Sequence, residues 1–209
     1  MAFNRNGFGQ VEPNQLSAQK TGQIYASLPL DGDVQVLQNG EFMYYSYADK
    51  KVTAEPTVEG QEPMLVFNEI KLYEPFWRTS YKDFAMIRVG DNYVTSRLAT
   101  EKYGDGSTTP GQYQQHTDYD YRMQGVAPRM FKTNIGDIMT TNMVKTGEDV
   151  TYEVGNLLVP VKNTESKTLV LEKFTPATTG DKPTGMAWVV ADVYTMPDGQ
   201  PGLKVQRIQ

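Results

Sequence analysis

Short runs of alternating apolar and polar residues dominate the chain after residue 30. The first two lie at residues 34–47 and 63–73. Successive side chains of a β-strand point to opposite faces, so a period of two predicts strands. Later runs of the same kind are "RMFKT", "DIMTTNMV", "VTYEVGNLLVPV", "KTLVLEKF", "GMAWVVADVYTM" and "LKVQRI". Many short strands separated by turn residues predict a mainly β domain, an antiparallel barrel or sandwich.

Two turn signals predict β-hairpins within these runs. Asn39-Gly40 favours a type I′ turn, in which both central residues need positive φ, and pairing outward from it places Leu37 opposite Phe42. Near the end of the chain, "PDG" followed by "PG" predicts a hairpin over residues 196–202. In residues 186–194 both faces are largely apolar, which is typical of a central strand.

The first thirty residues differ from the rest of the chain. They are rich in Asn, Gln, Gly and Ala and have no sustained period, although residues 16–25 could form a short helix that Gly22 interrupts. One interpretation is a terminus without packing partners. The other is an extended N-terminal arm, residues 1–30, that orders where a neighbouring subunit covers it. The arm's candidate partner contacts are Phe3, Phe8, Leu16, Ile24 and Tyr25.

Residues 31–209 form the predicted β-rich domain, which contains one long polar stretch at residues 99–127. This stretch is rich in Gly, Gln, Thr and Tyr, and its length predicts an insertion loop that projects from the sheet. Its tyrosines are further candidates for contact with a partner: Tyr113, Tyr119 and Tyr121.

Phe76 and Trp77 lie in "EPFWRTSY", next to Pro75, which interrupts strand pairing. Large aromatic side chains in such a segment suit stacking on a sugar or contact with a protein partner. The alternative is that they cover the core from a loop, since aromatic residues are enriched both in cores and at interfaces.

Composition and charge exclude several classes of protein. There is no cysteine, which excludes disulfides, thiolate metal sites and cysteine nucleophiles. The formal net charge is −5 and no basic run occurs, so direct nucleic-acid binding is not expected. No run approaches the roughly 20 apolar residues of a membrane span, and the first thirty residues contain no apolar signal sequence. We therefore expect synthesis in the cytoplasm and no membrane partner.

The sequence offers little catalytic chemistry. His116 is the single histidine, and it precedes Asp118 and Asp120 in the polar stretch. Alternate residues of an extended segment point the same way, so these three could bind a metal, but a solvated loop tip is the interpretation we favour. No G-x-S-x-G, G-x-G-x-x-G or G-x-x-x-x-G-K-[ST] motif is present. We expect no enzymatic site, no cofactor and no metal.

Four segments carry a family resemblance: "RMFKTNIGD", "YEVGNLLVPV", "KTLVLEKF" and "PTGMAWVVADVYTMPDGQPGLKVQRI". With "LPLDGDVQVLQNGEFMYYSYA" and "PMLVFNEIKLYE", they resemble the capsid decoration (auxiliary or cement) proteins of tailed bacteriophages. The resemblance implies a β-rich, non-enzymatic protein on the capsid surface of the virion. It further implies binding in many copies to the shell of major capsid protein, with contacts between neighbouring copies. The Tyr-rich stretch at residues 99–127 departs from this pattern.

Two other functions remain open at the level of sequence. The chain could be a carbohydrate- or receptor-binding β domain of a phage tail or fibre, in which case exposed aromatic side chains should form a platform. A single-strand nucleic-acid binder of the OB type is a third reading, which the acidic charge disfavours.

Overall fold

A computed structural model describes residues 3, 5, 9–34, 36–68, 86–88, 127–147, 149–164, 166–178, 180–196 and 199–209. The insertion expected at residues 99–127 lies outside these residues apart from its last residue. Within the described ranges, no helix has the length and apolar content that a membrane-spanning segment requires.

The described part of the chain is mainly β, as the alternating pattern predicts. In these described ranges, one short helix, α1 (Ser17–Thr21), accompanies thirteen strands. The strands are Val11–Gln15 (β1), Ile24–Tyr25 (β2), Val36–Gln38 (β3), Phe42–Ser46 (β4), Lys51–Thr53 (β5), Met64–Val66 (β6), Met86–Arg88 (β7), Met130–Phe131 (β8), Ile138–Thr141 (β9), Leu157–Asn163 (β10), Thr168–Lys173 (β11), Trp188–Thr195 (β12) and Pro201–Arg207 (β13).

Eleven of these strands form one curled antiparallel sheet, a half-barrel. Its order is β1-β9-β13-β12-β10-β11-β4-β6-β8-β2, and β5 pairs with β4 beside this path. The remaining two strands, β3 and β7, pair with each other. The expectation of an antiparallel barrel-like domain is confirmed at this level.

The C-terminal hairpin is where the turn residues predict it. Strands β12 and β13 pair from Trp188 opposite Arg207 to Thr195 opposite Pro201, with β10 on the other side of β12. Ala191 forms a bulge, because Val190 faces Val205 while Asp192 faces Lys204. A bulge shifts the alternation of side chains, and the second half of β12 is accordingly more exposed than the first.

The turn at Asn39-Gly40 exists, but the predicted hairpin around it is wrong. Gly40 has a φ of +93°, whereas Asn39 is not among the residues with positive φ. A type I′ turn needs positive φ at both positions, so the chain leaves this turn in a different direction. Leu37 therefore pairs with Ile87 rather than with Phe42, and β4 pairs with β5, β6 and β11.

Asn39 has a different role, which is to bind the main chain of Asn68. Its Nδ2 donates to the carbonyl oxygen of Asn68 (3.1 Å), and its Oδ1 accepts the amide of Asn68 (2.7 Å). Both residues are buried. The amide side chain thus replaces a missing strand partner and satisfies buried backbone groups.

The described residues of the N-terminal segment pack against the chain's own sheet. Strand β1 pairs with β9, and β2 pairs with β8. Leu16, between them, is 1% exposed. Helix α1 ends at Gly22, which has a φ of +70°, as the glycine predicts. The sequence suggested that a neighbouring subunit would have to supply the covering surface, but for these residues the chain supplies it itself.

Helix α1 connects the two edge strands of the sheet, β1 and β2. The buried carboxylate of Asp137 fixes the start of the helix, since it accepts the amide of Ser17 (3.0 Å) and its hydroxyl (2.9 Å). The same carboxylate accepts the amide of Asn134 (2.9 Å). First-turn amides of a helix have no partner within the helix, so Asp137 supplies one from the β8–β9 connection.

Arg207 stabilises this region from β13. Its side chain is 4% exposed and donates to the carbonyl oxygen and the hydroxyl of Thr133. It also pairs with Glu62 at 2.6 Å, and its Nε donates to the carbonyl oxygen of Gln209. A buried guanidinium with this many acceptors orders the end of the chain.

The core is built largely from side chains of the curled sheet. Phe42 and Trp188 lie 5.9 Å apart between ring centroids, on neighbouring parts of the sheet. The largest fully buried side chains are Trp188, Phe42, Phe131, Leu16, Leu37, Met43, Leu65, Met130, Met139, Met143 and Leu158. Because Leu16 is one of them, the N-terminal segment contributes to the same core.

We expect Leu16→Ala to lower the free energy of unfolding by about 2–5 kcal/mol, because it removes a fully buried side chain. The matched control is Ile135→Ala, at a residue that is 72% exposed, which should change stability by less than about 0.5 kcal/mol. Urea denaturation followed by tryptophan fluorescence measures both. Equal losses for the two variants would contradict the packing of Leu16 in the core.

A second prediction compares two glycines that both have positive φ. A Cβ atom at Gly40 would lie 2.6 Å from Cβ of Met143 and 2.7 Å from Oγ1 of Thr141, whereas one at Gly60 would meet nothing within 4 Å. Gly60→Ala should cost about 1–2 kcal/mol from backbone strain alone. Gly40→Ala should cost a further 1–3 kcal/mol or so, because it overpacks the core. Similar midpoints of chemical denaturation for both variants would show that Gly40 is not confined in this way.

Candidate functional site

The main candidate site is a cavity of about 500 Å³ that Arg5 of the N-terminal segment lines. Arg5 covers one side, and the turn before β4 contributes Gln38 and Glu41. The segment after β9 and the β10–β11 hairpin supply the other walls. This volume is in the range of small-molecule sites. We call it the arm cavity.

Glu41 is the most unusual residue of the arm cavity. Its carboxylate is 1% exposed although it precedes a strand by a single residue. Oε2 accepts the amide of Gln38 at 2.7 Å, and Oε1 accepts the hydroxyl of Thr168 at 2.8 Å. The turn at residues 38–41 directs the side chain of Glu41 inward. Thr168, at the start of β11, contacts the carboxylate because β11 pairs with β4.

Burial raises the pKa of Glu41 from 4.5 to about 7. The hydrogen bonds from Gln38 and Thr168 and the charge of Arg5 act in the opposite direction, but desolvation is the larger effect. A carboxyl group with this pKa can hold or release a proton near neutral pH.

Arg5 reaches the arm cavity because Phe3 anchors the start of the chain. Phe3 is 3% exposed, and its ring meets that of Tyr152 edge-on, with centroids 5.3 Å apart. Its amide donates to the carbonyl oxygen of Val150 at 2.9 Å. On the other side of Arg5, the amide of Gly9 donates to Oε1 of Gln38 at 2.6 Å. Phe3 and Gly9 are thus both held by contacts with the rest of the chain, and Arg5 lies between them in the sequence.

The guanidinium of Arg5 is partly desolvated. Burial lowers its pKa, and the carboxylate of Glu41 opposes that shift. Its NH1 contacts the sulfur of Met143, and a thioether is a weak acceptor. Arg5 thus presents a cation to the cavity, and among the described residues its guanidinium has only this weak acceptor.

Two lysines lie at the rim of the arm cavity. Lys145 pairs with Glu172, and Lys162 pairs with Glu55. Tyr152 supports the first of these pairs, because its hydroxyl donates to the carbonyl oxygen of Lys145 at 2.8 Å. Burial, with a smaller contribution from Glu172, raises the pKa of Tyr152, so this phenol remains a donor at neutral pH.

A second, smaller cleft of about 260 Å³ carries mixed charges. Lys51 pairs with Asp31 at 2.8 Å, and Lys167 lies 3.7 Å from Asp33. The hydrogen bond from Lys51 lowers the pKa of Asp31. Because these charges are exposed and largely neutralise one another, they contribute little to stability and present no single charge to a ligand.

The structure distributes the residues proposed from sequence as partner contacts over three settings. Phe3 and Leu16 are buried in the chain's own core, so they offer almost no surface in this conformation. Ile24 and Tyr25 are half-buried in β2. The others lie outside the described residues, and their role stays a prediction: Phe8, Phe76, Trp77, Tyr113, Tyr119 and Tyr121.

His116, Asp118 and Asp120 also lie outside the described residues. Among the residues that are described, the His, Asp and Glu side chains form no group of three or more that could hold a metal ion. The idea of a metal site in that stretch is therefore untested.

Sequence reasoning missed Arg5, Glu41 and Thr168. A signal for Glu41 was present, because it is the one charged residue in the run "NGEFMYYSY" and therefore had to be either at an edge or buried with partners. Arg5 and Thr168 had no such signal, since each lies in a segment where polar residues are common.

Comparisons with protein-family models, with curated proteins and with solved structures each gave no match. The fold and the arm cavity are therefore interpreted from their own geometry, and the family resemblance rests on the quoted segments alone.

The buried carboxyl group predicts a specific dependence of stability on pH. The pKa of Glu41 is higher in the folded state (about 7) than its ordinary value of 4.5, so the folded state holds the proton more tightly. The stabilisation is complete below pH 4.5 and is lost as the pH rises through 7, by about 3 kcal/mol in all. Urea denaturation at a series of pH values from 4.5 to 8 measures this slope.

The Glu41→Gln variant should lose most of this slope, because its amide does not titrate. Glu153→Gln, at an exposed residue, should retain the slope and serves as the control. If the wild-type chain and Glu41→Gln showed the same dependence on pH, another group would be responsible.

Proposed function

We propose that the chain is a non-enzymatic structural protein of a tailed-bacteriophage head, which binds the capsid shell in many copies and decorates or stabilises it. The observation that carries the proposal is the placement of the four segments that resemble decoration proteins. Three of them, residues 152–161, 167–174 and 183–208, contain the larger part of β10, all of β11 and the β12–β13 hairpin. The fourth, residues 129–137, contains β8 and leads into β9.

Three of these segments occupy neighbouring places in the fold, because β13, β12, β10 and β11 are consecutive in the sheet. The fourth contributes β8, which follows β4 and β6 in the same sheet, and β4 and β6 lie in the other two resembling segments, residues 28–48 and 63–74. Only when all six segments are counted do they form one continuous piece of sheet. A shared surface is what a common binding role would require, and this supports the resemblance as a property of a surface rather than of isolated peptides.

The same region exposes apolar side chains. Val193 lies on β12, and Val154 and Ile208 lie beside β10 and β13. Interfaces between proteins exclude water from such side chains, and larger exposed apolar areas often mark them. The capsid shell is the partner that we propose for this face.

Many weak contacts are sufficient for a protein that acts on a shell. Each copy binds one repeat of the lattice, and copies that also contact one another bind with an effective concentration set by the lattice. Modest burial per copy can thus stabilise the whole particle.

Electron cryomicroscopy tests the proposal on particles of the phage that encodes the chain, prepared with and without its gene. We expect density for the chain at every equivalent lattice position in the first preparation, and lower resistance of the second to heat and low ionic strength. Density at the tail or fibre, with a bare shell, would instead identify the receptor-binding alternative. Absence of the chain from purified particles would contradict both.

Substitutions on the proposed face provide a matched test of the binding surface. Purified protein is added to particles of a phage that lacks the gene. Val154→Lys and Val193→Lys should bind these particles at least tenfold more weakly than wild type, a loss of about 1.4 kcal/mol per site. Val58→Lys is the control, because Val58 is as exposed as Val154 but follows β5, outside the resembling segments. Equal binding by all three variants would show that this face does not contact the shell.

A further inference from the structure

We propose that the arm cavity binds an oxyanion, such as a carboxylate or sulfate, through Arg5, Lys145 and Lys162, and that Glu41 takes up a proton when the anion binds. This inference concerns a site that the proposed function does not use, and it holds or fails independently of capsid binding.

Arg5 is the first reason for assigning an anion. Its guanidinium carries five N–H donors, and the hydrogen-bond partner found for it among the described residues is the sulfur of Met143. The group is nevertheless drawn out of water, since burial lowers its pKa. A desolvated guanidinium beside an open cavity has the geometry and charge to bind an oxyanion through two parallel hydrogen bonds.

The remaining charges around the cavity favour the same ligand. Lys145 and Lys162 both line it, and each is partly exposed and paired with a carboxylate that is itself accessible to water. Exposed pairs of this kind exchange partners at little cost. Glu172, the partner of Lys145, is the one other acidic residue of the described lining besides Glu41, so the basic groups outnumber the acidic ones.

Hydroxyl groups complete the wall opposite the arm. Thr164 and Ser166 belong to the tip of the β10–β11 hairpin, and Thr146 belongs to the segment after β9. Neutral donors of this kind position an anion without adding charge. The cavity of about 500 Å³ is larger than sulfate or acetate needs, so a larger molecule that carries such a group also fits.

Glu41 makes the binding depend on pH. The groups that face it are Arg5 from the arm, Gln38 from the preceding turn and Thr168 from β11, and Lys145, Lys162 and Glu172 line the same cavity. When Glu41 is ionised, its charge opposes an anion and competes for Arg5. When it is protonated, both effects disappear, so an anion is bound more tightly and a proton is taken up.

The test is a titration of the ¹⁵N-labelled full chain with sodium sulfate at constant ionic strength, at pH 5.5, 7 and 8.5. Sulfate does not change its own charge in this range, so any dependence on pH belongs to the protein. We expect saturable changes at the amides of Gln38 and Thr168, and an affinity that falls at least tenfold or so between pH 5.5 and 8.5.

Four variants make the assignment specific. Arg5→Gln should abolish saturable binding, and Lys162→Gln should weaken it, whereas Lys132→Gln, at an exposed residue outside the cavity, should leave it unchanged. Glu41→Gln should bind sulfate with an affinity that no longer varies with pH.

Three results would overturn the proposal: shifts that do not saturate, equal binding by Arg5→Gln, or affinity that rises with pH. Saturable binding of methylammonium in place of sulfate, tightest at pH 8.5, would identify a cation site on Glu41 instead.

Discussion

The carboxylate of Asp137 is the interaction on which the arrangement of the N-terminal half depends. It holds Ser17 at the start of α1 and Asn134 in the β8–β9 connection, and it is itself buried. Because α1 joins the two edge strands, this one side chain fixes how the ends of the half-barrel lie relative to each other. The direction in which β1 enters the sheet follows from it.

The sequence predicts the elements whose signals are local. The β12–β13 hairpin has two strongly patterned strands and a turn rich in Pro and Gly, so pairing within this segment decides its structure. Strands β10 and β11 are adjacent in the chain and pair in register for the same reason. Helix α1 ends where Gly22 can adopt positive φ. In each case the residues that determine the structure are within a few positions of it.

The Asn39-Gly40 hairpin failed because its local signal competed with distant partners. Phe42 pairs with Leu65 and Leu169, and Leu37 pairs with Ile87. Leu65 and Leu169 bury apolar surface that a two-stranded hairpin in isolation would leave in water. The arm cavity was invisible for a related reason: the hydrogen bond between Glu41 and Thr168 spans 127 residues, and no periodicity encodes such a contact. The arm itself has no period because its contacts lie on several different elements.

The start of the N-terminal arm contributes both to the core, through Phe3, and to the arm cavity, through Arg5. Phe3 is buried against the chain itself, and burial of a phenylalanine is worth about 1.5–3 kcal/mol. A neighbouring subunit that took over the arm would have to offer an equivalent pocket, and it would also have to compensate for the separation of Arg5 from Glu41. Ionised Glu41 attracts Arg5, so this second cost is larger at high pH; protonation of Glu41 removes it while the fold itself becomes more stable. Release of the arm and unfolding of the domain would therefore respond to pH in opposite directions.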